Sequence, residues 1–492
     1  MRQEVLRMER VTYIEHGITK LEDFRLQIYK GEIMGMIPVN GHGMNDFLKL
    51  LKTNLPIERG YIYYGNELVN SWKESKKNHN RVSIIEAKSG LVEGLTVSDN
   101  IFVLRHGFRQ RLIRTGLLRK QLAPFLHDIG MDDISPDSCV EKLSVFQRVV
   151  VEILRAVILG HQLIVLNEIG TLISEKELQK LHRIIRKYAA SGFSFLYISP
   201  HLEESAMICD RTALLSHGAI QKVIHGKEKS REIVAAYTEE YERVVRNHLA
   251  AQTNTSRERE KVLSLRDITF GSISQLNFDI YAGECVTIQN MDHDVFQDII
   301  SLLTEDEQPQ KGGIYVGTEK VKILGNNNIS VIRELPTTSM IFQELDYMTN
   351  LCMGMTQRIP DIWYRHHIRE SIFQECRPIV GEEVFYKPME QLTQRQKYKL
   401  VYTRVLLQRP KVVFCIQPFK GTDLPHRMFV WQLLEMLLNR GIAVVILTMN
   451  LSDSISLSDR LLRLGSDGML EEITRDNFDG LTEDVPWKYL YE

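Results

Sequence analysis

Two kinds of apolar pattern alternate along this chain. Four short runs are continuous and rich in β-branched residues, namely LIVLNE, FSFLYIS, KVVFCIQ and AVVILTM. Such runs are typical of strands that are buried on both faces of a parallel sheet. From Asp99 to Asp132, and again from about Asn350 to Ile379, the apolar spacing instead suits helices. Strands of this kind alternating with helices predict an α/β fold whose sheet is mostly parallel.

The same succession of segments occurs twice. LQIYKGEI at Leu26–Ile33 matches FDIYAGEC at Phe278–Cys285, 252 residues further along. Leu143–Glu168 then aligns without a gap on Leu392–Gln417, at an offset of 249 residues. Near the end of each copy, CDRTALLSHG corresponds to SDRLLRLGSDG. A nearly constant offset with a conserved order predicts two tandem copies of one domain.

A polar segment separates the two copies. VRNHLAAQTNTSREREKV contains Asn-Thr-Ser and no periodic apolar residues, as expected for a connecting stretch. The sequence therefore predicts a first domain at 1–245, a linker at 246–259 and a second, more divergent domain at 260–492.

Composition narrows the class of protein. At 492 residues the chain exceeds what one hydrophobic core normally supports, and no apolar run is long enough to span a bilayer. Its six cysteines are scattered, without a C-x-x-C pair, so we expect a reduced, cytoplasmic protein without a metal site. A formal net charge of −2 offers no global attraction to nucleic acid.

The run PVNGHGMNDF lies between a predicted strand and a predicted helix and is similar to a phosphate-binding loop that has lost its chemistry. A triphosphate site needs a glycine turn at a helix N-terminus, a lysine for the phosphates and a hydroxyl for Mg²⁺. The glycines remain, but methionine, asparagine and aspartate follow them. Since the helix dipole stabilises an acid in the first turn by about 0.3–1 kcal/mol, we predict a self-capped helix start. A plain polar turn and residual nucleotide contact are the two interpretations of this segment, which comprises Asn40, Gly41, Gly43, Met44, Asn45 and Asp46.

Each copy contains, in order, a strand, a turn, a helix, a helical insert, an LS..Q-like segment that opens a helix, and two buried strands. This order resembles the ATP-binding-cassette (ABC) ATPases, and the duplication resembles the ATP-hydrolysing subunit of bacterial sugar importers. IIEAKSGLVEGLTVSDNIF and QPFKGTD are similar to stretches of that subfamily. The resemblance covers essentially the whole chain. It implies two tandem P-loop NTPase-like cassettes, each with a mostly parallel sheet core and a helical subdomain.

The resemblance also assigns roles at the strand ends. The Walker B strand of the first copy ends in Asn167, where the family has its magnesium aspartate, and Glu168, which matches the catalytic glutamate. His201 matches the switch histidine. The second copy has Ile416 and Gln417 at the Walker B positions, so it retains neither the metal ligand nor the base.

The family's LSGGQ signature reads LSVFQ in the first copy and LTQRQ in the second, so both have lost the glycines that let backbone approach a phosphate. The glutamine-loop position is Ala87, and the adenine-stacking position is Glu15, with Tyr13 as a substitute two residues away. The candidate signature residues are Ser144, Gln147, Thr393 and Gln396.

Taken with the resemblance, these losses predict no useful ATP turnover, with Glu168 and His201 as remnants of the catalytic apparatus. Losing one charge-assisted contact weakens phosphate binding about ten-fold or more. The second copy, with TIQNMDHDVF in place of the glycine turn, is expected to bind no phosphate. No cofactor is expected; weak ATP binding in the first cassette is the alternative, in which Lys49 replaces the missing lysine.

The resemblance implies a cytoplasmic protein on the inner face of the cell membrane. Its partners would be a permease subunit or a membrane-bound sensor, with a second cassette subunit or a second copy of the chain as further candidates. The main interpretation is a pseudo-ATPase acting as a scaffold or regulator, and the alternative is a divergent ATP-binding subunit of a sugar importer.

A nucleic-acid-binding function is disfavoured because the charged helical linker and the cysteine clusters of such cassette proteins are lacking. The first insert is basic and suits either a solvated helix face or a membrane partner; its cations are Arg105, Arg109, Arg111, Arg114, Arg119 and Lys120.

Overall fold

The computed structural model of this protein describes residues 3–39, 41–75, 80–103, 115–225, 260–290, 293–305, 307–323, 325–353, 366–422, 424–449, 451, 454–465 and 470–480. The chain divides into two compact units, Met1–Glu239 and Glu240–Glu492. The predicted linker at 246–259 lies outside the described residues, so its boundaries stay a prediction.

The first unit contains two sheets and five helices among its described residues. Its strands are β1 (Glu4–Glu15), β2 (Ile18–Tyr29), β3 (Ile33–Pro38), β4 (Arg59–Tyr64), β5 (Glu67–Ser71), β6 (Val82–Ile85), β7 (Leu163–Asn167), β8 (Ser194–Ile198), β9 (Arg211–Ser216) and β10 (Ala219–His225). Its helices are α1 (Met44–Lys52), α2 (Thr115–Asp128), α3 (Val145–Leu159), α4 (Glu175–Ala190) and α5 (Leu202–Ile208).

A six-stranded sheet of order β10-β9-β3-β8-β7-β6 forms the centre of the first unit. All its pairings are parallel except that between β10 and β9. The sheet is buried on both faces, which β7 illustrates: Ile164 and Leu166 belong to the core that contains α3 and α4, whereas Leu163 and Val165 belong to the core that contains α1 and the antiparallel sheet. Burial on both faces is why this strand reads as a continuous apolar run, as predicted.

The second sheet of the first unit is antiparallel, with the order β2-β1-β4-β5. Alternate residues of β2 are buried, among them Phe24, Leu26 and Ile28, as expected for a sheet with one face in the core. The helical insert follows β6. It begins with a π-helical turn at Asp99–Val103 and continues in α2.

The second unit repeats this architecture. Its strands are β11 (Lys261–Phe270), β12 (Ile273–Tyr281), β13 (Cys285–Asn290), β14 (Lys311–Val316), β15 (Glu319–Val321), β16 (Ile329–Ile332), β17 (Val412–Ile416), β18 (Ala443–Thr448), β19 (Arg460–Leu464) and β20 (Leu470–Thr474). Its helices are α6 (His293–Thr304), α7 (Pro336–Ser339), α8 (Tyr347–Cys352), α9 (His366–Val380), α10 (Gln394–Gln408) and α11 (Leu424–Leu438). The strand orders are β16-β17-β18-β13-β19-β20 and β12-β11-β14-β15, so each sheet has its counterpart in the first unit.

The predicted α/β class with two tandem, mostly parallel cassette cores is confirmed. No helix in the described ranges is long and apolar enough to cross a membrane.

Candidate functional site

The sheet brings three of the predicted segments of the first unit to one edge. In this parallel arrangement Met36 of β3 pairs with Ile198 of β8, and Asn167 of β7 pairs with the same Ile198. The turn after β3, the Asn167–Glu168 pair after β7 and His201 after β8 therefore follow neighbouring carboxyl ends. This is the edge at which α/β sheets bind ligands.

The turn between β3 and α1 depends on glycine. Gly43 precedes α1 with φ 81°, in the left-handed region, and a Cβ there would lie 2.3 Å from the carbonyl oxygen of Lys20. Gly218 faces the same carbonyl, where a Cβ would come within 2.1 Å. Only glycine fits such close approaches of backbone to backbone. The turn therefore needs glycine at Gly43 for its own packing, and its first candidate residue, Asn40, lies outside the described residues.

The lysine position of the turn is occupied by a core residue. Met44 is 7% exposed and packs in the hydrophobic cluster that includes Phe47. Asn45 is exposed at the next position, and Gly41 is exposed before it. A thioether in the core supplies no positive charge to a phosphate, so this helix N-terminus keeps only its backbone N–H groups.

The predicted self-capped helix start stays a prediction. Asp46 lies in the first turn of α1, and Gly43, which precedes the helix, has no side chain with which to cap it. The carboxylate of Asp46 is 7% exposed and pairs with Lys49 Nζ at 3.1 Å. Asp46 is three residues before Lys49, so both lie on the same helix face.

Lys49 is engaged by two carboxylates. Besides Asp46 it contacts Glu15 Oε1 at 3.4 Å. The hydrogen bond that Lys49 donates to Asp46 raises the pKa of Lys49 above its usual value. A triphosphate would have to displace both acids to recruit this ammonium group, which argues against Lys49 as a replacement for the missing lysine.

Tyr13, the predicted aromatic substitute for adenine stacking, is buried. Tyr13 is 6% exposed, and its ring belongs to the core of the first unit. Its hydroxyl donates to Glu15 Oε1 at 3.4 Å, and burial followed by Glu15 raises the pKa of Tyr13. A ring packed in the core offers no free face to a base.

The Walker B position has an amide in place of the magnesium carboxylate. Asn167 Nδ2 donates to Glu86 Oε1 at 3.4 Å, next to the exposed Ala87 of the glutamine-loop position. Glu168 follows with φ 55°, and its backbone N–H donates to the carbonyl of Ile198 at 2.9 Å. Asn167 therefore brings a neutral group to the position where a metal would need an anion.

The second unit repeats this backbone without the acid. Gln417 has φ 43°, and its N–H donates to the carbonyl of Leu447 at 2.9 Å. Its side-chain oxygen is buried without a hydrogen bond in the structure. The left-handed turn after the Walker B strand is thus a property of the fold, kept where the catalytic acid is gone.

His201 lies at the N-terminus of α5 and is 3% exposed. Its backbone N–H donates to Ser199 Oγ at 3.2 Å, and that hydroxyl donates to Glu204 Oε2 at 2.5 Å. The histidine is thus held by a buried polar network that the sequence analysis did not identify.

The rest of this network is formed by α4, β8 and α5. The hydroxyl of Tyr197 donates to Glu204, and His182 Nε2 lies 3.3 Å from the Tyr197 hydroxyl oxygen. Because that hydroxyl already donates to Glu204, the Nε2 of His182 must carry the hydrogen. A Cβ on Gly170 would collide with the Glu204 carboxylate at 1.9 Å, so the turn after the Walker B strand packs directly on the same acid. In the sequence, nothing in the spacing of His182, Tyr197 and Glu204 indicated that their side chains meet in the core.

We expect acid to destabilise the first unit through His182. Burial, and then Arg186, lowers the pKa of His182 to about 4, whereas an unfolded histidine titrates near 6.5. Between these values the unfolded chain binds more protons, so stability falls as pH drops, by up to about 3 kcal/mol at this site. Urea unfolding at pH 7, 5.5 and 4.5 measures this loss.

His182→Gln should reduce the dependence of the free energy of unfolding on pH. His127→Gln, at a histidine whose side chain is 81% exposed, should leave this dependence as in the wild type. Equal slopes in the wild type and His182→Gln would contradict the assignment.

The signature positions are helix caps. Ser144 caps α3: its Oγ accepts from the N–H of Gln147 at 3.2 Å, and its own N–H donates to Gln147 Oε1 at 3.1 Å. Thr393 and Gln396 form the same capping box at α10, with distances of 3.3 and 2.9 Å. Phe146, in place of a glycine, is buried in the core. Each box satisfies N–H groups that a helix start would otherwise leave unpaired.

Ser144→Ala is expected to cost about 1 kcal/mol of stability, since the cap is lost, and Ser144→Gly only a few tenths. Thr393→Ala should behave like Ser144→Ala in the second unit. Urea unfolding gives the stabilities, and titration with an ATP analogue gives the nucleotide affinity of each variant. A loss of affinity in Ser144→Ala without loss of stability would contradict a purely structural cap.

Most of the basic insert, including Arg105, Arg109, Arg111 and Arg114, lies outside the described residues. Of the remainder, Arg119 is exposed on α2 and pairs with Asp137 at 2.5 Å, and Lys120 is exposed beside it.

At the predicted positions, Met44, Asn45 and Asn167 stand in place of the lysine, the hydroxyl and the magnesium aspartate of an Mg-ATP site, whereas Glu168 and His201 are kept. The lysine and the aspartate are groups that would balance the charges of a metal-bridged triphosphate. No hydrolytic step follows from this geometry.

Comparison with known proteins shows what this chain is similar to. The sequence pattern of the ABC transporter family matches residues 21–170. A ribose import ATP-binding protein of Caldanaerobacter subterraneus is 23% identical over 490 residues, covering 96% of this chain and 97% of the relative. A xylose import ATP-binding protein of Moorella thermoacetica is 23% identical and covers 96% of both chains. Among solved structures, the ADP conformation of an ATP-binding cassette of an ABC transporter is 17% identical with a TM-score of 0.42, covering 48% of this chain and 98% of that one. Over nearly its whole length the chain is therefore similar to ribose and xylose import ATP-binding proteins, and part of its first unit matches the ABC transporter family.

Proposed function

We propose that this chain is the cassette subunit of a membrane complex of the sugar-importer type, bound to a permease on the inner face of the membrane. The near-complete alignment with ribose and xylose import ATP-binding proteins supports this proposal. A membrane-bound sensor is a second candidate partner, and a second cassette subunit or a second copy of the chain would complete the assembly. Co-purification with a membrane permease of the sugar-importer type tests the assignment, and failure to associate in the membrane would contradict it.

Within that complex we propose a pseudo-ATPase that acts as a scaffold or regulator. The observation that carries this proposal is the replacement of charge at the edge of the first sheet. Met44 is packed in the core at the lysine position, and Asn167 donates its amide to Glu86 at the magnesium position. A missing transition-state donor typically costs about 10²–10³ in rate. Several such losses together leave little hydrolysis, although their effects are not additive.

The alternative is a divergent subunit that still binds ATP in the first cassette, without efficient magnesium-dependent hydrolysis. Similarity to ATP-binding subunits favours it more directly than it favours a scaffold. The retained glycine turn at Gly43, together with Glu168 and His201, is what such a site would use. Backbone N–H groups at a helix N-terminus attract anions even without a lysine.

Two measurements on the purified full chain separate these functions. Titration with a fluorescent ATP analogue gives affinity, where a micromolar Kd supports the divergent subunit. Phosphate release with Mg-ATP gives turnover, where a rate abolished by Glu168→Gln would show that the pseudo-ATPase assignment is wrong. Lys52→Ala, at an exposed residue of the last turn of α1, serves as the control for nonspecific damage to the helix.

A further inference from the structure

The two units carry an arginine at the same place in the helix that follows the signature, but with different surroundings. In the first unit Arg155 on α3 donates to the carbonyl of Gly90 at 3.1 Å and lies 3.8 Å from the buried carboxylate of Glu152. The repeat aligns Arg155 with Arg404 on α10, and Glu152 with Val401. The second unit has therefore kept the cation and lost its counterion.

Arg404 is a buried guanidinium bound only to backbone. It is 6% exposed, and it donates to the carbonyl of Met340 at 2.5 Å and to that of Asn350 at 3.4 Å. Among the residues that the structure describes, no carboxylate lies within ion-pair distance of it. Burial lowers the pKa of Arg404 to about 10, so it keeps its charge at neutral pH. A buried cation without a counterion is costly, and its remaining N–H groups favour an anion.

Arg404 lines a cavity of about 260 Å³ in the second unit. A second arginine, Arg333, lines the same cavity and is exposed, with no ion pair in the described part of the chain. None of the described residues that line the cavity is Asp or Glu. Asn326 also lines it: its side-chain oxygen accepts from the N–H of Asn328 at 2.8 Å, which leaves its amide nitrogen as a donor.

We propose that this cavity of the second unit binds a phosphate group, held by Arg404 and Arg333. The planar fork of a guanidinium group donates to two oxygens of a phosphate at once, and amide donors complete the coordination. The volume corresponds to roughly nine water molecules and lies below the usual range of sites for drug-sized ligands. It fits inorganic phosphate or a small phosphate ester and is too small for a nucleoside triphosphate. The site is independent of the function proposed for the first unit.

The probe is inorganic phosphate, titrated into the full chain by calorimetry against chloride at equal ionic strength. Arg333→Ala should weaken phosphate binding about ten-fold or more, since it removes one charge-assisted contact from an exposed position. Val401→Glu should have the same effect by supplying the carboxylate that the first unit has in Glu152. Arg377→Ala, at an exposed arginine of the same unit that pairs with Glu382, should leave the affinity unchanged.

Absence of phosphate binding by the wild-type chain, or equal affinity in the wild type and Arg333→Ala, would overturn the proposal. If Val401→Glu does not fold, Arg333→Ala decides the question alone. Glycerol 3-phosphate as a second probe distinguishes the sources. Tighter binding than inorganic phosphate assigns the site to a phosphate ester, and weaker binding assigns it to the free ion. Both outcomes support the site, provided that Arg333→Ala weakens the binding of both probes.

Discussion

Restoring the two missing charges and the missing hydroxyl of the first cassette with Met44→Lys, Asn167→Asp and Asn45→Thr is expected to raise its affinity for Mg-ATP about a hundred-fold. The fold already supplies the left-handed turn at Gly43 and places the β3 and β7 ends on one edge of the sheet. What is missing is charge, and each restored charge-assisted contact contributes about 1.5–3 kcal/mol. Two of them correspond to a factor of about a hundred or more in Kd. Titration with a fluorescent ATP analogue in the presence of Mg²⁺ measures the change.

Met44→Leu with the wild-type residues at the other two positions is the matched control, because it preserves the apolar contact of the core and adds no charge. Its affinity should equal that of the wild type. An unchanged affinity in the triple variant would show that the shape of the pocket, or the pairing of Asp46 with Lys49, limits binding more than the lost charges do.

Arg211→Ala and Arg460→Ala are each expected to destabilise their own unit by about 3–5 kcal/mol. In the first unit Arg211 Nε lies 2.6 Å from Glu32 Oε1, with side chains 15% and 5% exposed. The hydrogen bond that Arg211 donates to Glu32 raises the pKa of Arg211. The second unit has the same pair in Arg460 and Glu284. Removing the cation leaves a buried carboxylate without its partner, which is the costly way to break such a pair. Urea unfolding followed by circular dichroism measures both losses.

The matched control is Arg25→Ala. Arg25 pairs with Asp23 at 2.7 Å, but both side chains are more than half exposed, so its loss should cost no more than about 1 kcal/mol. Equal effects of Arg25→Ala and Arg211→Ala would show that burial of the pair does not determine its contribution.

The fold could be predicted from sequence because its strongest signals are local and repeated. A strand such as β7, buried on both faces, must be apolar throughout, and the second copy confirmed the pattern at a fixed offset. Candidate residues were found where the chemistry needs a particular residue type, as at Met44 and Asn167. Their partners could not be found in this way. Lys49 is close to Asp46 along the chain, but the choice between lysine and helix N–H groups depends on side-chain packing. Tyr197, Glu204 and His182 meet only after α4, β8 and α5 have packed.

The sequence by itself determined the tandem α/β architecture and placed Met44, Asn45 and Asn167 at the predicted lysine, hydroxyl and magnesium positions, because periodicity and residue identity can be read directly along the chain. Only the tertiary structure decided which groups neutralise one another. It made Ser144 and Gln147 a helix cap, it buried the ring of Tyr13, and it left Arg404 without the counterion that Arg155 keeps. The physical reason is that the free energy of a charge inside a protein depends on the groups within a few ångströms, and those are brought there by the fold.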